Sequence, residues 1–306
     1  MRLSFCCTHV DPAPWVQGLR AALPEAQVEA WAPGAPQADH AVVWSPPQQF
    51  IDEQPALKTL FNTGAGVDAL LRLRLPPGLT LVRLDDAGMA VQMAEYVCQA
   101  LVRHFREFDA NEAAMREGRW AFRKPRLRSD YPVGILGLGV LGKRVAQAVA
   151  HFEFPVRGWS RSPQSLPGVT CFHGPEGLEA FLAGTRVLVC LLPLTPETEG
   201  ILNRATLGKL LPEGYLINVA RGGHLVEDDL LALLAEGRLA GATLDVYRQE
   251  PLPPGHPFWG HPKLTLTSHT AARTLRDETI AQIAGKIRAL ARGEPIAGVV
   301  DRARGY

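Results

Sequence analysis

Val133-Gly134-Ile135-Leu136-Gly137-Leu138-Gly139-Val140-Leu141-Gly142 is a short apolar run that ends in the spacing G-x-G-x-x-G. Beyond it, Leu141, Val145, Ala148, Val149 and Phe152 recur at i, i+4, i+7, i+8 and i+11, a single apolar helical face. The stretch therefore predicts a strand, a tight turn and a helix. Each glycine has a task in such a unit. The first turns the chain sharply after the strand, the second lets the backbone approach a pyrophosphate, and the third lets the helix pack closely on the strand. The helix start then offers unpaired N–H groups and a positive dipole end to an anion. A dinucleotide held at Gly137, Gly139, Val140, Leu141 and Gly142 is the ligand this reading predicts.

Outward from this unit, short apolar runs alternate with helical patterns from Tyr131 onward, the signature of βαβ units and a parallel sheet. Further strands are expected over 156–159, 187–192, 215–219, 242–245 and 264–267, with helices over 175–183, 203–210 and 227–236. Their near-continuous apolar character is what a sheet covered on both faces requires. The first 85 residues repeat the alternation more weakly, with strands expected over 3–7, 41–44, 59–62 and 79–84. Ala94, Val97, Cys98, Leu101, Val102, Phe105 and Phe108 mark one face of a long helix that carries the chain between the two regions, and a last helix over 275–291 leads back. The expected fold is α/β, with two Rossmann-like or flavodoxin-like domains, parallel sheets and an active site in the cleft between domains. Residues 1–95 plus 273–306 would form the substrate-binding domain and 96–272 the dinucleotide-binding domain. The apolar face from Ala94 to Phe108 suggests a homodimer, although a partner within the chain would serve equally well.

Composition narrows the function classes. The 306 residues, 46% hydrophobic and 21% charged, are those of an ordinary globular protein, and 306 residues suit two domains. A formal net charge of +1 gives no general attraction to nucleic acid or acidic membranes, so neither is expected as a partner. No apolar run approaches the roughly 20 residues of a membrane helix. The apolar start around Phe5 is soon interrupted by Asp11-Pro12, unlike a secretory signal, and a cytoplasmic location is the expectation. Five cysteines (Cys6, Cys7, Cys98, Cys171, Cys190) form no C-x-x-C pair and read as small apolar residues. His9, His40, His104, His151, His173, His224, His256 and His261 show no ligand spacing, and no metal site is expected. The basic stretch from Arg119 to Arg128 reads as a solvated loop.

Two further features give the dinucleotide a chemistry. Where an NAD-binding unit would carry Asp or Glu about 20 residues beyond the glycines, this chain reads Trp159-Ser160-Arg161-Ser162. A carboxylate there would repel a 2′-phosphate, whereas Arg161 between the hydroxyls of Ser160 and Ser162 would bind one through charge-assisted hydrogen bonds, which favours NADPH and leaves NADH as the alternative. Arg221, Glu250 and His269 follow three later strands, where open parallel sheets bind ligands. Reducing a 2-oxo acid needs a cation for its carboxylate and carbonyl, a proton donor for the developing alkoxide, and a group that tunes the donor. Arginine, histidine and glutamate are those types, and a carboxylate beside an imidazole favours its charged form.

In order, Gly137 to Gly142, Leu192-Pro193-Leu194-Thr195-Pro196-Glu197-Thr198, Asn218-Val219-Ala220-Arg221-Gly222, Leu244-Asp245-Val246 through Glu250-Pro251-Leu252-Pro253, and Ser268-His269-Thr270-Ala271-Ala272 resemble the D-isomer-specific 2-hydroxyacid dehydrogenases. Within that family, Trp159 to Ser162 and Met93-Ala94-Glu95-Tyr96-Val97 look most like the NADPH-preferring glyoxylate/hydroxypyruvate reductases. The resemblance implies that Arg221 binds the substrate's carboxylate and carbonyl oxygen, His269 is the general acid/base and Glu250 pairs with it. It also implies cofactor contacts at Pro193 and Ala220, with Asp245 near the nicotinamide end. Asn62-Thr63-Gly64-Ala65-Gly66-Val67-Asp68 matches the family's substrate loop, in which Gly64, Ala65 and Gly66 would cradle the carboxylate through backbone N–H groups. Trp44 is a candidate pocket wall, though its residue type suits a core equally well.

The function expected is NADPH-dependent reduction of a small 2-oxo acid such as glyoxylate or hydroxypyruvate. The alternatives are an NADH-dependent dehydrogenase for a bulkier D-2-hydroxy acid and a non-catalytic dinucleotide sensor built on the same fold.

Overall fold

Among the described residues, 1–8 and 10–306 of the computed structural model, twelve strands form two sheets in which all pairings between strands are parallel. His9 lies outside the described residues. In chain order the first unit contains β1 (Arg2–Cys7), α1 (Pro12–Ala22), β2 (Gln27–Ala30), β3 (His40–Trp44), α2 (Gln48–Glu53), β4 (Thr59–Asn62), α3 (Asp68–Leu71) and β5 (Thr80–Val82). There follow α4 (Met89–Phe105), α5 (Phe108–Arg116), β6 (Val133–Leu136), α6 (Val140–His151), β7 (Val156–Ser160), β8 (Val169–His173), α7 (Gly174–Ala183), β9 (Val187–Cys190) and α8 (Arg204–Leu207). The series ends with β10 (Gly214–Asn218), α9 (Glu227–Ala235), β11 (Leu239–Leu244), β12 (Leu264–Leu266) and α10 (Arg276–Ala291).

The first sheet runs β2-β1-β3-β4-β5, the flavodoxin-like order. Leu3, Phe5, Val42, Phe61 and Val82 pack on one of its faces against Val16 and Leu19 of α1 and Ile280, Ile283 and Ile287 of α10. The second sheet runs β8-β7-β6-β9-β10-β11-β12, the Rossmann order extended by one strand. Val133, Ile135, Val187, Val189 and Ile217 face one core with Val145 and Val149 of α6, while Leu136, Leu188, Leu216 and Leu244 face another with Leu230, Leu233 and Leu234 of α9. Central strands buried on both faces explain the continuous apolar runs of the sequence.

The units comprise Met1–Met89 with Arg273–Tyr306, and Ala90–Ala272. The division falls a few residues before the 95/96 boundary of the sequence reading because Met93 and Ala94 already belong to the second unit's core. The expected helix from Ala94 to Phe108 breaks after Phe105. Glu107 takes a left-handed φ of 53°, and its carboxylate pairs with Arg123 at 2.8 Å and Arg126 at 3.1 Å. The basic stretch is thus partly tied down rather than simply solvated. The helix expected over 203–210 shortens to Arg204–Leu207, started by an Asn203 cap with Thr206. Edge strands β2 and β8 went unexpected, since half-exposed strands with polar residues interleaved make no apolar run.

The apolar face of α4 lies in the second unit's own core, with Val97 and Leu101 fully buried beside Val145 and Val149. From Ala94 to Phe105 it is covered within the chain, apart from half-buried Val102, while Phe108, beyond the break, is 39% exposed. Leu101→Ala should cost about 2–5 kcal/mol of unfolding free energy. Denaturant melts at several protein concentrations check this. The loss should not depend on concentration, whereas a face shared between subunits would make it do so.

Candidate active site

Because every strand of the second sheet runs the same way, the segments after β6, β9, β10, β11 and β12 all leave one edge of it. Those segments carry the candidate residues. At the first, Gly137 adopts φ +111°, a conformation that side chains rarely take. A Cβ at Gly142 would collide with the Gly137 carbonyl, so the third glycine permits close helix packing. A Cβ at Gly139 would meet no protein atom within 4 Å, so packing does not account for a glycine there. Gly139 caps α6, and the first turn with Val140 and Leu141 presents helix N–H groups. These features fit the pyrophosphate of a dinucleotide. At the end of β7, the Ser160 hydroxyl donates to the Ser162 carbonyl at 2.7 Å, fixing the turn on which exposed Arg161 stands. Arg161 also lies close enough to help lower the pKa of Glu197, whose largest cause is a hydrogen bond from Thr195.

Arg221 leaves β10 through a turn held by side chains. Buried Asn218 donates through Nδ2 to the Arg221 carbonyl (3.1 Å) and accepts the Ala220 N–H at Oδ1 (3.3 Å). The Arg221 guanidinium donates to the Ala220 carbonyl at 2.7 Å. His224, fully buried, sets Nδ1 against the Arg221 carbonyl (3.1 Å) and Nε2 against the Pro193 carbonyl (3.2 Å). Its ring therefore joins the Arg221 turn to the Pro193 loop.

Glu250 and His269, nineteen positions apart in sequence, meet with His269 Nδ1 2.7 Å from Glu250 Oε2. An ionised carboxylate can only accept, so Nδ1 donates and Nε2 is the nitrogen left to exchange a proton. Glu250 Oε1 takes the Tyr247 N–H at 3.0 Å. Burial raises the Glu250 pKa, but the bonds from His269 and Tyr247 and the charges of His269 and Arg221 outweigh it, and the net shift is downward. His269 itself holds a left-handed φ of 55°, a conformation costing about 1–3 kcal/mol in a non-glycine residue. Asp245, 1% exposed, accounts for its persistence. Its carbonyl accepts the His269 N–H (2.8 Å), and its carboxylate accepts the N–H groups of Thr270 (2.8 Å) and Ala271 (2.9 Å).

Within the first unit, buried Asn62 donates through Nδ2 to the carbonyls of Gly64 (3.0 Å) and Gly66 (2.8 Å) and shapes the loop that includes Ala65. The Trp44 indole lies directly on Gly64, where any Cβ would strike the ring. At 37% exposure, Trp44 is not a core residue.

Asn218, His224, Tyr247, Thr267 and Tyr96 escaped the sequence reading as contributors to the site. Asn218 stood inside a quoted motif, and only the absence of ligand spacing spoke about His224.

A pyrophosphate-type glycine loop on a Rossmann sheet, with an arginine and a histidine–carboxylate pair at the same edge, defines a dinucleotide-dependent oxidoreductase. The family model described as "D-isomer specific 2-hydroxyacid dehydrogenase, NAD binding domain" matches residues 98–271. Glyoxylate/hydroxypyruvate reductase A of Serratia proteamaculans is 48% identical over the full length of both chains. A D-isomer specific 2-hydroxyacid dehydrogenase from Xanthobacter autotrophicus, solved in complex with NADPH and MES, superposes with a TM-score of 0.95 at 41% identity, covering 100% of this chain and 99% of that one. An NADPH-dependent glyoxylate/hydroxypyruvate reductase from Sinorhizobium meliloti, in complex with NADP and sulfate, does so with 0.93 at 36% identity and the same coverage. The chain belongs to the D-isomer specific 2-hydroxyacid dehydrogenase family.

The lowered Glu250 pKa sets a pH window. A carboxylate whose folded pKa lies below its ordinary 4.5 contributes stability that is present above 4.5 and lost as pH falls through the folded value. With the side chains of the pair 41% and 35% exposed, the contribution is at most about 1 kcal/mol. Glu250→Gln should melt slightly below the parent near neutral pH, and the gap should close only below pH 4.5, as read by parallel thermal melts.

Proposed function

We propose that the chain reduces small 2-oxo acids, glyoxylate and hydroxypyruvate among them, to 2-hydroxy acids with NADPH as reductant. The observation that carries this reading is the His269–Glu250 pair at 2.7 Å, set at the same sheet edge as the glycine loop and Arg221. The full-length relatives named as glyoxylate/hydroxypyruvate reductases and the NADPH-bound relative support it.

The residues divide the work. Gly137, Gly139, Val140, Leu141 and Gly142 would hold the pyrophosphate, Arg161 with Ser160 and Ser162 the 2′-phosphate, and Pro193, Ala220 and Asp245 the remainder of the cofactor toward the nicotinamide. When bound, the dihydronicotinamide supplies the hydride that reduces C2. His269 Nε2 gives a proton to the carbonyl oxygen, while Glu250 orients the ring and stabilises its charged form. Arg221 pairs with the substrate carboxylate and polarises the carbonyl. Gly64, Ala65 and Gly66 cradle the carboxylate, and Trp44 walls the pocket against long side chains.

Following NADPH absorbance with a panel of 2-oxo acids tests the assignment. Glyoxylate and hydroxypyruvate should give the highest kcat/KM and a bulky acid such as phenylpyruvate the lowest. No oxidation with any of them would point to a dinucleotide-sensing protein. In the same assay Arg161→Asp should raise the KM for NADPH about 10-fold or more, and that for NADH much less.

We further propose that two copies associate. Trp120, Phe122 and Leu127 are 90%, 84% and 66% exposed on one short segment after α5, an arrangement that favours an apolar partner. Sedimentation should find a dimer, and Trp120→Ser with Phe122→Ser should convert it to monomer without unfolding either unit.

A further inference from the structure

Behind the proton donor runs a chain of hydroxyl groups that the reaction itself does not use. Thr267 Oγ1 lies 2.5 Å from Asp245 Oδ1, and the Tyr96 hydroxyl lies 2.5 Å from Thr267 Oγ1. The direction of these bonds follows from counting protons. Asp245 receives the N–H groups of Thr270 and Ala271, so its carboxylate acts as an acceptor and Thr267 must give it the one hydroxyl proton it has. Thr267 Oγ1 can then only accept on its other side, and Tyr96 must donate. Tyr96 is fitted to that task, since burial pushes its phenol up to about 12 and keeps it protonated at any assay pH. The Tyr247 hydroxyl, 2.8 Å from the Thr267 carbonyl and 3.0 Å from that of Leu244, fixes the backbone at Thr267 as well.

We propose that Tyr96 and Thr267 are positioning residues for His269, acting through Asp245. All three backbone N–H groups from His269 to Ala271 end on Asp245, and two of them end on its carboxylate. Rotation of that carboxylate would release the turn, and His269 would relax out of its left-handed conformation, taking Nε2 out of line. Thr267 fixes the carboxylate's orientation, and Tyr96, 171 positions earlier on α4, fixes the hydroxyl of Thr267. A helix of the unit's core thereby sets the aim of an exposed imidazole.

The inference rests on the reading of His269 as proton donor, and the experiment separates the two. Tyr96→Phe and Thr267→Val keep the shape and remove one proton each. Each should lower kcat about 10-fold while the KM for NADPH stays within about 2-fold, and the isotope effect with 4-deuterated NADPH should rise as the misaimed step becomes limiting. The double variant should be no worse than Thr267→Val, because Tyr96 acts only through Thr267. Thr267→Ser should restore turnover. In the protein without ligands, amide hydrogen exchange at Thr270 and Ala271 should quicken in both single variants. Parent-like turnover in Tyr96→Phe, losses that multiply in the double variant, or unchanged exchange would each overturn the inference. Full activity in His269→Ala would instead remove the reading of His269 on which it rests.

Discussion

Parallel pairing of the seven strands in the second sheet is the constraint from which the site follows. A parallel sheet must return each strand to the same starting side through a crossover, so every strand releases its next segment at one edge. Gly137, Arg161, Pro193, Arg221, Asp245 and His269 span more than a hundred positions of sequence, yet each comes directly or within three residues after a strand end. Convergence of the glycine loop with the candidate residues for proton transfer is a consequence of this topology, and needs no special arrangement of the loops beyond their local turns.

Those local turns have a difficulty of their own. Segments leaving a buried sheet carry backbone groups that the ladder no longer satisfies, in surroundings where a polar group without a partner costs about 1–3 kcal/mol. The chain answers with the same device several times. Asn62, Asn218 and Asp245 are buried side chains at strand ends, and each bonds the backbone of the turn that follows; buried His224, in the turn beyond β10, bonds the Arg221 turn and the adjoining Pro193 loop. The residues singled out for chemistry stand on these turns, while the clamps beneath them are buried and fixed.

This separation explains what could be read from sequence. The strand, glycine turn and helix around residue 137 are a local pattern, and local patterns survive in one dimension. Strands β2 and β8 did not, because both leave most of their residues at least partly exposed and interleave polar residues, so neither shows an apolar run. The break at Glu107 is set by Arg123 and Arg126, which reach it from a later segment, so helical spacing through Phe108 carried no warning of it. Arg221, Glu250 and His269 were legible as ionisable residues at strand ends. Tyr96, although it stood inside a quoted motif, and Thr267 were not legible as contributors, since a tyrosine on a helix face and a threonine just past a strand end are unremarkable until folding brings them within 2.5 Å.

A proton donor of the kind proposed for His269 must meet two demands that pull against each other. It must exchange its proton with solvent or substrate, which favours exposure, and it must hold one orientation, which favours burial. The His269 side chain is 41% exposed, its carboxylate partner 35%, and Asp245 beneath them 1%. A pair so exposed cannot hold its own geometry, because solvent screens its attraction and side-chain entropy opposes a single arrangement. Orientation is therefore supplied from below, by bonds to the backbone of the turn that do not compete with water. Glu250 is placed in the same way, its second oxygen held by the Tyr247 N–H. The ring and its carboxylate can then change protonation with solvent while the frame that aims them stays fixed.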